Sequence, residues 1–229
     1  MRIVLALAVL CLIGAQARAS KPIAWTMKGC VAGGVFYSID KDSAARVNTM
    51  AGKSLDVSKL ESKYIEVDGL LYPGDYFAPG DKPPVVKRDC TADDRRAIEY
   101  AKAFDLRMQA GRLPADKLDE AIKLVDASIA VVQPADCDTF IDRAHLYAKK
   151  NELAASARDV GILETRKCRF RGALNWLLLQ ELGNELRTRN AGNLAVRALT
   201  LARANCDADI CRPGIEKDLA AAKAAATKK

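Results

Sequence analysis

The texture of the sequence changes at residue 91, and this change limits the fold more than any other feature. Residues 20–90 hold short runs of β-favouring side chains separated by glycine and proline turns. From Thr91 onward, alanine, leucine, arginine and glutamate dominate, and apolar residues recur with the period of an α-helix. The sequence therefore predicts an α+β protein, in which a small β-barrel or β-sheet module precedes a stack of α-helical hairpins.

The first region contains one segment with a clear strand pattern. Alternation along residues 64–71 places Ile65 and Val67 on one face and acidic side chains on the other, as a half-buried strand requires. An earlier pair of strands is expected to turn at two adjacent glycines. The predicted turn sequences are Gly33-Gly34, Pro73-Gly74-Asp75 and Pro79-Gly80-Asp81.

The second region begins with a predicted helical hairpin. Thr91 is expected to cap the first helix, with Asp93 and Asp94 as solvated acidic residues in its first turn. A second helix is expected over about 115–132, ended by Pro134. The apolar stripe predicted to bury the first helix consists of Ala97, Ala101, Phe104 and Met108.

The first 19 residues have the composition of a secretory leader. Arg2 is followed by an apolar run too short to cross a bilayer, and small residues at Ala17 and Ala19 suit signal peptidase. We expect the mature chain to begin at Ser20, without a stable membrane span or a lipid anchor, and to be periplasmic or secreted. The expected divisions are a leader at 1–19, a β module at 20–90, a helical-hairpin domain at 91–212, and a capping helix and tail at 213–229.

The cysteine count fits an exported chain. Seven cysteines, less Cys11 in the leader, leave an even number for disulfides. Sequential pairing is favoured because each successive pair brackets one segment, although six cysteines permit other connectivities. A zinc site is disfavoured because the chain has a single histidine and no Cys-x2-Cys motif. The expected disulfide cysteines are Cys30, Cys90, Cys137, Cys168, Cys206 and Cys211.

The charge balance is mildly basic, +7 for the whole chain. A basic cluster at 166–171 is expected to be a solvated helix end, with contact to an anionic partner as the alternative. Nucleic acid is not an expected partner, because the chain is expected to be exported.

The helical region resembles tetratricopeptide repeats over residues 92–209. Counted from Cys137, a small residue falls at the eighth place (Ala144) and the twentieth (Ser156). Counted from Trp176, small residues again occupy the eighth (Gly183) and twentieth (Ala195) places. The frames are 39 residues apart, whereas the family repeat is about 34. The resemblance implies that helices pack closely at these positions.

The same resemblance implies a groove for a protein or peptide partner. The family's ligand-facing places fall on side chains that hydrogen-bond to an extended peptide or pair with its carboxylates. A solvated helix face is the alternative interpretation for His145. The partner-binding residues implied are Asp138, Ile141, His145, Lys149, Gln180, Asn184 and Arg187.

Residues 55–77 weakly resemble the OB-type β-barrels of exported bacterial proteins, through a strand followed by a Pro-Gly-Asp turn. The sequence shows no nucleophile elbow, phosphate-binding loop or metalloprotease motif, so we expect no catalytic residues, no metal and no cofactor. We therefore expect a non-enzymatic exported binding protein that uses the helical groove. The alternative is a small ligand or glycan bound by the β module.

Overall fold

The computed structural model describes residues 21–40, 43–52, 54–167, 175–206 and 209–227. A curled β-sheet forms a half-barrel and is followed, among the described residues, by seven α-helices, which confirms the predicted α+β class. The chain divides into two compact units, one up to Ile98 and one from Glu99. This division falls inside the first helix, later in the chain than the change of sequence texture. We call the two parts the β unit and the helical unit.

The strands and helices have the following bounds. The strands are β1 (Ile23–Ala32), β2 (Val35–Asp40), β3 (Ser43–Arg46), β4 (Asn48–Thr49), β5 (Lys63–Tyr72), β6 (Tyr76–Pro79) and β7 (Val85–Asp89). The helices are α1 (Ala92–Arg112), α2 (Leu118–Val131), α3 (Cys137–Lys149), α4 (Leu153–Thr165), α5 (Asn175–Thr188), α6 (Gly192–Ala204) and α7 (Arg212–Ala226).

Strand β5 is the centre of the sheet. Its first edge pairs antiparallel with β1, from Cys30 opposite Tyr64 to Ile23 opposite Leu71. Its other edge is shared by β6 and β7, while β2 and β3 continue the sheet beyond β1. Strand β4 adds to β6 in parallel. The two-residue β4 has no sequence pattern of its own, since its pairing with β6 defines it.

The predicted strand pattern is confirmed. Ile65 and Val67 are 0% and 1% exposed and belong to the apolar core of the β unit, together with Phe36 and Phe77. The two expected glycines do turn the β1–β2 hairpin, with positive φ angles that side chains rarely adopt. The backbone N–H groups of both glycines donate to the Glu61 carboxylate.

The start of α1 corrects one expectation. Thr91 does cap the helix, since its hydroxyl accepts from the Asp94 N–H while the Asp94 carboxylate accepts from the Thr91 N–H. However, Asp94 is 7% exposed and pairs with Arg88, so it is not a solvated residue. The Arg88 hydrogen bond holds the pKa of Asp94 at about 2. The carboxylate was expected to face solvent because first-turn acids usually do, but the β7 arginine covers it.

The helical unit is a series of packed hairpins. Helix α3 packs on α4, α5 on α6, and α6 on α7. The small residues singled out by the repeat pattern are all buried, and a methyl group on Gly183 would lie 2.5 Å from Leu199 Cγ of α6. These helices therefore pack closely where the sequence has small side chains. The small buried residues are Ala144, Ser156, Gly183 and Ala195.

One ion-pair network around Arg143 of α3 joins α2, α3 and α4. The Arg143 guanidinium donates to Asp159 of α4 at 2.7 and 2.9 Å, and to Asp126 of α2 at 2.7 Å. Asp159 is 2% exposed, so its charge is compensated almost entirely by Arg143.

The cysteines form two described disulfides, Cys30–Cys90 in the β unit and Cys206–Cys211 between α6 and α7. Cys137 is also disulfide-bonded, but Cys168, its expected partner, lies outside the described residues. Disulfides of this kind indicate an oxidising, exported environment. Within the described ranges, no helix combines the length and apolar content needed to span a membrane.

The last helix is longer than expected. The sequence predicted a capping helix followed by a tail within residues 213–229, but α7 begins at Arg212 and continues to Ala226. Ala222 is fully buried against the core formed by α5 and α6, and alanine favours helix strongly, so the helix continues through the alanine-rich segment.

Candidate functional site

A cavity of about 360 Å³ lies in the helical unit between α1 and α3, with one α2 side chain in its wall. Because α1 and α3 end at this cavity with Arg112 and Lys149, the two helices bring their carboxyl ends to the same place. We call this site the α1–α3 groove. Its lining residues are Phe104, Arg107, Met108, Ala110, Gly111, Arg112, Val125, Asp142, His145, Leu146 and Lys149.

Two large apolar side chains of α1 line the groove and face solvent. Phe104 is 57% exposed and Met108 is 41% exposed, although the sequence predicted that both would be buried. Ala97 and Ala101, from the same predicted stripe, are buried as expected. The helical period identifies the side chains that share a stripe, but it does not show where the neighbouring elements stop covering that stripe. In α1, neighbouring elements bury the stripe at Ala97 and Ala101 but leave Phe104 and Met108 exposed.

An ion pair crosses the groove. Arg107 Nε of α1 donates to Asp142 Oδ2 of α3 at 2.8 Å, with side-chain exposures of 17% and 30%. Burial raises the pKa of Asp142, and the attraction and hydrogen bond of Arg107 oppose that rise. The pair fixes the spacing of the two helices and leaves this part of the groove without excess charge.

His145 lies beside the pair as a neutral side chain. Burial lowers its pKa to about 4, and repulsion from Lys149 adds to this effect, while Glu185 of α5 acts in the opposite direction. At neutral pH the imidazole therefore carries no charge and offers one donor and one acceptor to a ligand. The alternative interpretation, a fully solvated His145 on a helix face, does not agree with this burial.

The end of the groove at the carboxyl ends of α1 and α3 has an excess of positive charge. Arg112 and Lys149 are both exposed, and neither forms an ion pair with a carboxylate of the described residues. On each helix these cations lie one to two turns beyond the Arg107–Asp142 pair, about 8–10 Å at 1.5 Å per residue. The groove therefore joins an apolar, charge-balanced part to a cationic end.

The structure separates the residues that the repeat pattern assigned to α3. His145 and Lys149 line the groove, whereas Ile141 is 1% exposed and packs in the core with Leu163 and Leu179. The assignment of Ile141 to partner contact was wrong, because α3 is covered on that side by α4 and α5. Asp138 is half-buried near Arg107 and does not line the groove, and burial raises its pKa.

Two of the three residues assigned to α5 contact α7, and none of the three lines the groove. Gln180 and Asn184 both donate to Asp218 of α7, at 2.6 and 2.9 Å. Arg187 donates to Asn184 at 3.4 Å, and its buried Nε has no hydrogen-bond partner among the described residues. The sequence placed all seven residues in one groove, but in the structure only His145 and Lys149 of the seven line the groove.

The sequence missed the α1 contribution to the site, which consists of Phe104, Arg107, Met108 and Arg112. The first hairpin lay outside both repeat frames, so its large apolar residues were assigned to packing. One available signal was the pair of basic residues on the same stretch as Phe104 and Met108, because a fully buried helix face does not carry them.

The described residues show no group of three or more His, Cys, Asp or Glu side chains that could hold a metal ion. In the basic cluster, Arg166 donates to the Ala135 carbonyl and covers the Phe140 ring, and it remains an exposed residue. Arg169 and Arg171 lie outside the described residues. Comparison of the chain with protein-family models and with curated proteins returns no match.

Proposed function

We propose that this chain is an exported, non-enzymatic binding protein whose α1–α3 groove holds a segment of another protein. The observation that carries the proposal is the combination of exposed Phe104 and Met108 with the uncompensated charge of Arg112 and Lys149 around one cavity. Large exposed apolar side chains in a concave site with few polar groups are typical of binding surfaces.

The chemistry of the lining supports binding over catalysis. None of its described residues is a serine, threonine or cysteine, so no hydroxyl or thiol nucleophile accompanies His145 there. The neutral imidazole and the Arg107–Asp142 pair suit hydrogen bonding to a peptide backbone. The tetratricopeptide-like size pattern supports the same function, because stacks of such repeats bind ligands on a concave helical surface.

The proposal includes the route of export. We expect cleavage after Ala19, so the mature protein begins at Ser20 and is periplasmic or secreted. Mass determination of the purified extracytoplasmic protein tests this directly. A chain that still carries residues 1–19 would contradict it.

The groove is tested by substitution in the full-length chain. Phe104→Asp places a charge in the apolar part of the groove, and we expect recovery of crosslinked partners from the native compartment to fall at least tenfold. A loss of about 2 kcal/mol, typical of a central contact, corresponds to that range. Leu177→Asp is the matched control, since Leu177 is 37% exposed on α5 and does not line the groove.

The outcomes separate clearly. Partners that are lost from Phe104→Asp but kept by Leu177→Asp, with both variants folded by circular dichroism, support the groove. An identical set of partners from wild type and Phe104→Asp would contradict it.

A second candidate function belongs to the β unit, where a small ligand or glycan is the expected partner. Ile23 and Trp25 are 53% and 51% exposed, yet they alternate in phase with the buried Val31 on the same face of β1. This core-facing side of the sheet is therefore not fully covered. With Trp176→Phe as background, the fluorescence of Trp25 reports glycan binding directly, because the chain has only two tryptophans. An unchanged spectrum across a glycan panel would count against this function.

A further inference from the structure

We infer that the α1–α3 groove accepts the Asp209–Ile210 tip of a second copy of this chain. The inference rests on the proposed binding function of the groove and names its occupant. It is carried by two surfaces of the helical unit that are complementary in shape and charge, one concave and one protruding.

The protruding surface consists of Asp209 and Ile210, which lie between α6 and α7. Ile210 is 90% exposed, the highest exposure of any large apolar side chain in the described ranges. The acidic Asp209 precedes it directly. A single exposed apolar residue is ordinary on a protein surface, but this one has an acidic neighbour and a fixed support.

The support is the Cys206–Cys211 disulfide. The bond closes a short loop around the tip, and both cysteines are 3% exposed in the core that also contains Ile215. The tip is therefore held at both ends by buried residues. A preorganised anchor loses little conformational entropy when it binds, which favours association.

The groove has the matching properties. Its volume of about 360 Å³ is at the lower end of the range for ligand sites, suited to one branched side chain and the backbone beside it. Phe104, Met108 and Leu146 provide apolar contacts for Ile210. Arg112 and Lys149, which have no carboxylate partner among the described residues, provide the charge that complements Asp209.

The contact joins two different surfaces, so it is heterologous. After the first contact, one copy still has a free groove and the other still has a free tip, so assembly continues to a ring or an open chain according to the rotation between copies. Because one anchor and one ion pair form a small interface, the association belongs to the weak class that buries less than about 1,200 Å². The extent of association should therefore depend on the protein concentration.

Sedimentation equilibrium of the mature protein across a wide concentration range tests the inference. We expect the average mass of the wild type to rise above that of a monomer, and Ile210→Asp to weaken association at least tenfold. Lys149→Glu and Asp209→Lys should each weaken it, and the double variant should recover part of the loss because the ion pair is restored in reversed order. Leu177→Asp is the control and should associate as the wild type does.

Mixing two defective variants gives the sharpest result. Ile210→Asp keeps a groove but lacks the tip, whereas Met108→Asp/Lys149→Glu keeps a tip but lacks the groove. Each should be monomeric alone, and the mixture should form a 1:1 dimer with no larger species, because only one tip and one groove remain functional.

Two results would overturn the inference. One is a wild type that stays monomeric at the highest concentration, and the other is association that Ile210→Asp leaves unchanged. The proposed function is judged separately: if Phe104→Asp loses captured partners while the wild-type chain is monomeric, the groove binds a different protein.

Discussion

Arg107 of α1 and Asp142 of α3 form an ion pair across the candidate groove, with 2.8 Å between Nε and Oδ2. We expect Arg107→Leu to reduce the free energy of unfolding by about 2 kcal/mol at neutral pH, since a half-buried carboxylate then loses its charged partner. The folded-state pKa of Asp142 should rise further. The variant should therefore be least destabilised at acidic pH, where this carboxyl is protonated in both states. Urea denaturation at several pH values measures both effects.

The double variant Arg107→Leu/Asp142→Leu is the control for this pair. Removal of both charges should restore much of the stability, because neither group is left buried without a partner. A double variant less stable than Arg107→Leu would contradict this account, because Asp142 would then stabilise the fold without its partner.

Stability should decrease in mild acid because of His145. Its folded-state pKa is about 4, against about 6.5 in the unfolded chain. Between these values the unfolded chain binds a proton that the folded state excludes. The stabilising contribution is therefore complete above pH 6.5 and is lost as the pH falls toward 4, with a slope of up to about 1.4 kcal/mol per pH unit.

His145→Gln should remove this slope. The chain has one histidine, so the difference between wild-type and variant stability curves over this pH range reports His145 alone. Asp138 and Asp142, whose pKa values are raised by burial, contribute to both curves. Parallel curves for the two proteins would contradict the prediction.

The Arg143–Asp159 pair provides a prediction about the interior. Asp159→Ala should reduce stability by about 3 kcal/mol, because it leaves the Arg143 guanidinium with only the exposed Asp126. Arg143→Met/Asp159→Leu should be much closer to wild type, since it removes both charges and fills the space with apolar atoms. Thermal and urea unfolding followed by circular dichroism measure both variants. Equal destabilisation of the two variants would indicate a packing defect instead of an unpaired charge.

Two helical glycines form a matched pair for testing close packing. In Gly183→Ala the new methyl group would meet Leu199 Cγ at 2.5 Å, so α5 and α6 must shift, at a cost of about 1–3 kcal/mol. In Gly161→Ala the nearest atom is the end of the Arg197 side chain at 3.6 Å. The second substitution should stabilise α4 by about 0.5–1 kcal/mol through helix propensity. Melting temperatures that move in opposite directions would confirm the assignment.

The sequence predicted those parts of the fold that local patterns determine. The alternation of side chains identified Ile65 and Val67 as the buried face of a strand. The capping chemistry of Thr91 identified the start of α1. Strands as short as β4 exist only because β6 pairs with them, so no local pattern could indicate them. The buried Asp94 was missed for the same kind of reason, since its partner Arg88 belongs to another element.

The candidate site was predictable in part. His145 and Lys149 were predicted because the size pattern assigned one face of α3 to partner contact, but the same pattern placed Ile141 in the groove. Gln180 and Asn184 were expected to contact a partner in the groove, and the sequence did not show that both would donate to Asp218 of α7. Helical periodicity defines faces, whereas contacts between distant helices decide which faces stay open.

The position of β5 at the centre of the sheet has a consequence for the order of assembly. The β1–β2 hairpin is local, but β1 obtains its second neighbour only when β5 returns from about forty residues later. Cys30 and Cys90, separated by 60 positions, come together only after β5 has also paired with β7. An oxidant that acts earlier meets two distant thiols. The yield of the Cys30–Cys90 disulfide should therefore depend on the pairing of β5 with both β1 and β7, because that pairing brings the two thiols together.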